Sequence, residues 1–189
     1  QVYDAEGNPV QNALVDRNQD GQITNEDRYM SNKSPNPDFF YGVSLKLAYK
    51  NWDFGFNGHG TVGNYMFNDV LRGSATAYYR DVIDKGYLVN TQAVGAKYGF
   101  TANPTTAQSL SDMFLEDASF FRMDDINLGY TFRNVGQCKT QIRVAAGVQN
   151  VFTLTKYSGL DPESSVAGGI DGNIYPRPRI YSVRLGINF

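Results

Sequence analysis

The chain ends in Tyr181-Ser182-Val183-Arg184-Leu185-Gly186-Ile187-Asn188-Phe189. Apolar residues alternate without a break with small or polar ones, which is the period of a strand showing one side to an apolar medium. The same alternation recurs upstream. Tyr41, Val43, Leu45, Leu47 and Tyr49 stand against Phe40, Gly42, Ser44, Lys46, Ala48 and Lys50, within Phe39 to Lys50. Trp52, Phe54 and Phe56 oppose Asp53, Gly55, Asn57 and His59. Ile126, Leu128, Tyr130 and Phe132 oppose Asp125, Asn127, Gly129 and Thr131. Ile142, Val144, Ala146 and Val148 oppose Gln141, Arg143, Ala145, Gly147 and Gln149. Five strands are predicted, and the fold class is all-β.

Two environments produce this pattern. In a soluble sandwich the apolar face packs on a second sheet and the other face is rich in Lys, Glu and Thr. In an outer-membrane barrel the apolar face meets lipid and the other lines a polar lumen. Here the second face is mostly glycine and small polar residues, with Lys46, Asp53, Arg143 and Arg184 among them. A Lys or Arg at the bilayer midplane costs about 2–4 kcal/mol, so these charges mark the lumen side of a barrel. Aromatics gather at segment ends (Phe39, Tyr41 and Tyr181; Tyr49, Trp52, Tyr130, Phe132 and Phe189), where a membrane strand meets the headgroups.

Composition narrows the classes. Of 189 residues, 14% are aromatic and only 19% charged, with 19 Gly. The formal net charge of −2 and the lack of a basic stripe exclude a nucleic-acid binder. A single cysteine, Cys138, excludes an internal disulfide or a Cys-based metal cluster. No apolar run approaches the roughly 18 residues of a spanning helix.

Connection lengths sharpen the barrel reading. Lys50-Asn51 is a tight turn and Arg133–Thr140 a short link, whereas Val62 to Ser119 and Thr153 to Arg179 are long and rich in Gly, Pro, Asn and Ser. Outer-membrane barrels alternate short periplasmic turns with long extracellular loops. Counting back from the last strand puts the C-terminus in the periplasm and residues 1–38 outside the cell. Residues 39–189 then hold barrel strands and loops. Five strands cannot close a barrel, because an open edge in lipid leaves backbone groups without partners. The expectation is the C-terminal portion of a larger barrel that begins inside a loop.

Several stretches resemble a known family. DASFFRMDDINLGYTF (Asp117–Phe132), VQNVFTLTKYSGLDPE (Val148–Glu163) and GGIDGNIYPRPRIYSVRLGINF (Gly168–Phe189) resemble the end of SusC/RagA-type TonB-dependent transporters. So do DRNQDGQITNEDR (Asp16–Arg28) and NPDFFYGVSLKLAYKNWDFGF (Asn36–Phe56), and the most specific part is Tyr175-Pro176-Arg177-Pro178-Arg179. The resemblance implies the last five antiparallel strands of a transmembrane barrel of about 22 strands. It also implies import of large nutrients, oligosaccharides or peptides, across the bacterial outer membrane. The implied partners are the rest of the barrel and its plug, a SusD-type surface lipoprotein, TonB acting on the N-terminal part, and outer-membrane lipid. Phe189 matches the terminal aromatic that barrel assembly machinery reads, and also suits a girdle position. No plug and no TonB box are found within this sequence. Two other classes stay open: a passive porin piece, and a soluble β-domain carrying a dockerin-like calcium module.

Asp16-Arg17-Asn18-Gln19-Asp20-Gly21-Gln22-Ile23-Thr24-Asn25-Glu26-Asp27 fits the calcium-loop pattern. Asp16, Asn18 and Asp20 are spaced to converge on one cation, and Gly21 permits the sharp turn. Gln22 offers its carbonyl, Thr24 a direct or water-mediated contact, and Asp27 closes the loop. The flanks are too short for two EF-hand helices, so a structural Ca²⁺ is expected, against an Asp/Asn-rich turn without metal. Gly58-His59-Gly60-Thr61-Val62-Gly63 fits a dinucleotide fingerprint, but no βαβ unit follows it, and it is rejected. No nucleophile–base set is apparent around His59, the only histidine, and no catalytic residue is assigned. Glu116, Asp117, Asp124 and Asp125 read as rim and lumen residues. The loop aromatics Tyr65, Phe67, Tyr78, Tyr79, Tyr87, Tyr98, Tyr157 and Tyr175 either contact ligand or hold the loops together, and Gly73–Arg80 reads at best as a short helix.

Overall fold

The computed structural model describes residues 1–72, 97–100, 105–136, 140–163, 168–172 and 175–188. Phe189, Cys138, Tyr78, Tyr79, Tyr87 and the stretch 73–80 lie outside them. The chain divides into two units, each taken by itself.

One unit is an antiparallel sheet of five strands in sequence order. They are β1 (Phe39–Tyr49), β2 (Trp52–Val62), a longer β5 (Phe120–Val135), β6 (Thr140–Thr155) and β7 (Ile180–Asn188). Each strand pairs with the next, the arrangement that an up-and-down barrel wall requires. β1 and β2 meet across Lys50-Asn51, with Lys50 in the left-handed conformation at φ 56°. β5 runs on to Val135, so its link to β6 is shorter than the expected Arg133–Thr140.

The register puts the alternating sets where the sequence predicts. Leu45 faces Phe56, Phe56 faces Ile126, Ile126 faces Val148 and Val148 faces Tyr181. One side of the sheet is thus a continuous apolar field, and its outer members are bare: Tyr49 is 69% exposed, Leu185 67% and Val183 79%. Soluble proteins rarely expose a contiguous field of this kind; it needs a membrane or a partner.

Two irregularities break the alternation on the same line. Between β2 and β5 the register slips at Asn57/Gly58, because Asp124 is an extra residue between Asp125 and Met123. On the other flank of β5, Asn150 and Val151 of β6 span the gap opposite Asp124. A bulge switches the face of every residue beyond it. Phe121 and Met123 accordingly join the apolar side with Ile126, although an uninterrupted alternation puts them on the other. Asn150 itself is left-handed at φ 51°. β6 continues to Thr155, beyond Thr153 where the loop is expected to start.

The second unit gathers Gln1–Asn36, Tyr65–Asp117 and Tyr157–Ile174. It contains a two-stranded sheet of β3 (Tyr65–Phe67) and β4 (Leu115–Asp117), single helical turns at Asp69–Arg72 and Thr106–Ser109, and 3-10 turns at Asn25–Asp27 and Asp112–Phe114. Its core is small: Leu71, Phe100, Met113 and Phe114, with Phe67 and Tyr98 packed against them. No helix among the described residues is long and apolar enough to cross a membrane, which says nothing of a crossing by strands.

Candidate functional site

The polar face of the sheet carries a chain of hydrogen-bonded groups. Ser44 donates its hydroxyl to Asn57 Oδ1 at 2.7 Å, and Asn57 Nδ2 donates to Asp125 Oδ1 at 2.5 Å. The other oxygen of Asp125 accepts from the Asn127 amide. Arg143 Nε donates to Asp53 Oδ2 at 3.0 Å while its Nη2 reaches Oδ1, a two-point pair between β6 and β2. Both partners are about two-fifths exposed, so water screens the pair and its worth is small.

Where the bulges fall, this face is hollowed. Arg122, Asp124, Asp125, Asn150, Arg177 and Arg184 border a recess of about 490 Å³, with Asn127 and Gln149 completing it. His59 Nδ1 lies 2.7 Å from Asp124 Oδ2. Asn150 reaches from the bulge to the Tyr-Pro-Arg-Pro-Arg segment. Its Nδ2 donates to the Arg177 carbonyl at 2.6 Å, and its own carbonyl accepts from Arg179 Nε at 3.3 Å. Alternation predicted the polar face, but it missed the recess. The signal present in the sequence was a lone Asn inside an apolar strand, because Asn is the side-chain residue that most readily takes φ > 0.

Of the other sequence candidates, Gly58 and Gly60 of the nucleotide-like stretch lie inside β2, where they make room for rings, and Gly63 follows the strand in a left-handed conformation at φ 87°. A Cβ on Gly58 meets the Phe121 ring at 2.8 Å, and one on Gly60 meets the Tyr41 ring at 2.7 Å. Those two rings stack across the glycines at 6.2 Å.

In the loop unit Asp16 Oδ1 accepts the Gln19 N–H at 2.7 Å and its Oδ2 the Gly21 N–H at 2.8 Å. Asn18 Nδ2 donates to Asp20 Oδ2 at 3.0 Å, and Asp20 Oδ1 accepts the Gln22 N–H at 2.7 Å. Asp27 closes the loop, taking the Arg17 and Thr24 N–H groups, each at 2.7 Å. Those N–H groups, Thr24 first, hold its carboxyl below the usual carboxylate range, so it is anionic at neutral pH. Thr24 caps the 3-10 turn by accepting the Glu26 N–H, and no full EF-hand helix flanks the loop. Among the described residues no three Asp, Glu, His or Cys side chains gather as a metal cluster. Loop oxygens from Asn18, Gln22 and Thr24 are therefore needed for any cation here. Ile23, Thr24 and Asp27, with Arg17, Tyr29 and Leu110, border a cavity of about 740 Å³.

The loop aromatics divide. Phe67 and Tyr98 pack on the small core, and the Tyr157 hydroxyl donates to Asp171 Oδ2 at 2.7 Å with both residues buried. Burial and that bond push the Tyr157 hydroxyl above the ordinary tyrosine range. Tyr65 lies under Lys33, and Tyr175 is exposed. Glu116 is also structural, accepting from Asn68 at 3.1 Å and from the Ser158 hydroxyl at 2.7 Å.

No family model matches the sequence. The TonB-dependent receptor SusC of Bacteroides thetaiotaomicron is 38% identical over 100% of this chain and 19% of its own length. TonB-dependent receptor P3 of Formosa agariphila is 24% identical over 97% of this chain and 19% of its own. Among solved structures, the RagAB peptide importer in its open-open state superposes with a TM-score of 0.64 and 27% identity, over 88% of this chain and 18% of that one. The chain thus spans about a fifth of the length of the relatives it matches. Similarity to SusC along every part of the sequence, on a sheet shared with the RagAB importer, means that the chain belongs to the SusC/RagA-type family of TonB-dependent receptors, as a C-terminal portion.

Proposed function

We propose that the chain forms the C-terminal wall of an energised outer-membrane importer of large nutrients, glycans or peptides, and does no covalent chemistry of its own. The observation that carries this reading is the bare apolar face backed by a hydrogen-bonded polar one, in a chain 38% identical to SusC throughout. In the proposed assembly the apolar face meets outer-membrane lipid. The polar face lines the lumen around a plug supplied by the N-terminal part of the same protein, on which TonB acts. A SusD-type lipoprotein covers the extracellular side, the C-terminus is periplasmic, and residues 1–38 lie outside with the other long connections. Phe189 serves there as the assembly signal. The test is uptake of the natural nutrient by cells carrying the full-length protein, with and without a protonophore. An energised importer stops when the proton gradient collapses; a passive porin continues, and that outcome overturns the reading.

Asp16, Asn18, Asp20, Gln22, Thr24 and Asp27 are proposed to bind one structural Ca²⁺ that stiffens the loop. The supporting observations are the loop spacing and an Asp27 carboxyl held in its anionic form. Isothermal titration of the full-length protein with Ca²⁺ is expected to show one site that Asp16→Asn with Asp20→Asn removes. No heat of binding at millimolar Ca²⁺ overturns the assignment.

A further inference from the structure

We propose that the turn end of the sheet holds the phosphate of an anionic phospholipid between Lys50 and Arg133; this rests on the reading that lipid covers the apolar face. At that end the face finishes in rings. Tyr49 of β1 lies opposite Trp52 of β2, which lies opposite Tyr130 of β5. The Trp52 and Tyr130 rings meet edge-on with centroids 4.8 Å apart, and Tyr130 and Phe132 do so at 4.7 Å. Tyr49, Trp52 and Phe132 remain exposed. Rings with an apolar body and a polar tip collect where acyl chains give way to headgroups. A headgroup at this level meets whatever charge the protein sets beside the rings.

Two cations stand there. Lys50 Nζ lies 5.2 Å from the centroid of the Tyr49 ring. Arg133 Nη2 donates to the Lys50 carbonyl at 3.4 Å, which brings its guanidinium to the same turn. Neither side chain forms an ion pair among the described residues. The backbone supports both positions. Lys50 fills the first of the two turn positions at φ 56°, a conformation that glycine or asparagine adopts at lower cost. β5 slips its register against β6 between Phe132 and Val135, and Arg133 lies in that slip. Bulges at barrel rims re-aim side chains in this way. The turn is also tied to β5: the Thr131 N–H donates to the Asn51 carbonyl at 2.8 Å, and Asn51 Nδ2 to the Tyr130 hydroxyl at 3.5 Å. Two held cations beside exposed rings suit the phosphate of a lipid without a positive group of its own. A choline or ethanolamine headgroup would bring a third cation to the same place.

The test uses the full-length protein in vesicles of equal parts phosphatidylglycerol and phosphatidylcholine. After extraction in mild detergent, the lipids still bound are quantified by mass spectrometry. Wild type is expected to enrich phosphatidylglycerol over phosphatidylcholine by about fivefold or more. Lys50→Asn with Arg133→Gln is expected to abolish that enrichment, and Lys50→Arg with Arg133→Lys to keep most of it. Asparagine accepts the left-handed conformation, so Lys50→Asn removes the amine and leaves the turn. Heat-shifted migration on gels checks assembly; if the double variant fails it, Lys50→Asn alone is used. Lys46→Gln, on the polar face of β1, is expected to change nothing. Equal enrichment in wild type and Lys50→Asn with Arg133→Gln overturns the proposal, as does an equal loss in Lys46→Gln. Displacement of the bound phosphatidylglycerol by millimolar inorganic phosphate, or by lipopolysaccharide acting through the same two residues, overturns the choice of a phospholipid. Wild-type protein that inserts into the vesicles but enriches neither lipid removes only the headgroup site. Protein that stays in the aqueous phase removes the membrane reading and this site with it.

Discussion

Tyr157 and Asp171 share a hydrogen bond in a place nearly closed to water, at 5% and 1% exposure. Asp53 and Arg143 share a stronger-looking pair in the open. Burial decides which matters. Deleting a buried donor leaves its acceptor to bear desolvation, a loss of about 1–3 kcal/mol, whereas an exposed ion pair contributes about 0–1 kcal/mol. Tyr157→Phe is expected to loosen the loop unit by about that first amount. It is read as faster hydrogen exchange at the Asp171 N–H, which donates to the Phe67 carbonyl at 3.0 Å. The pH dependence has a definite sign. A hydroxyl whose folded pKa is raised keeps its full contribution below the unfolded tyrosine value, and loses it as pH climbs through the folded one. Absorbance titrations of wild type and Tyr157→Phe should therefore superimpose through about pH 10, the ordinary tyrosine midpoint. A deficit of half a tyrosinate in the variant at that pH refutes the buried bond.

At the scale of the element, the five strands and their facing were legible because period-two alternation is a local signal that needs no knowledge of neighbours. The bulge at Asp124 was not. One inserted residue leaves both flanking runs well patterned and changes only which side they share, a fact held in the pairing with β2 and β6. The loop core was hidden for a related reason. Phe67, Phe100 and Phe114 meet across long separations in sequence, and aromatics in an irregular stretch carry no period. The calcium-type loop was legible as a spacing, and its turns follow that spacing, with the carboxylates of Asp16, Asp20 and Asp27 accepting N–H groups of the loop itself. Glycines within β2 illustrate how pairing supplies a meaning that the sequence lacks. Gly60 lies against the Phe120 carbonyl and the Tyr41 ring, while nothing stands within 4 Å of a Cβ at Gly186 in β7. Gly60→Val is expected to prevent assembly of the full-length barrel and Gly186→Ala to leave it intact, both scored by heat-shifted gel migration. Equal tolerance of the two contradicts the β2–β5 register.

For the whole molecule, one physical condition ties the sheet to a membrane: what touches the apolar face. A second protein layer there would accept a buried charge poorly wherever it fell, but the penalty would follow packing and not depth. Lipid gives a different signature. Arg on the lipid side costs about 2–4 kcal/mol at the midplane and about 0–1 kcal/mol near the interfaces, while the lumen side tolerates it. β7 offers both sides within a few residues. Leu185 is 67% exposed on the apolar face beside Val144, and Ser182 lies on the polar face opposite Gly147. In the full-length protein, Leu185→Arg should lower folding stability in lipid vesicles by about that midplane amount, and Ser182→Arg by under about 1 kcal/mol. Tyr181→Arg, at the strand's aromatic end, should fall between them. Denaturant titration of the reconstituted protein measures all three. A penalty that is the same for Leu185→Arg and Ser182→Arg, or that persists unchanged when the protein is folded in plain buffer, means that protein and not hydrocarbon covers this face.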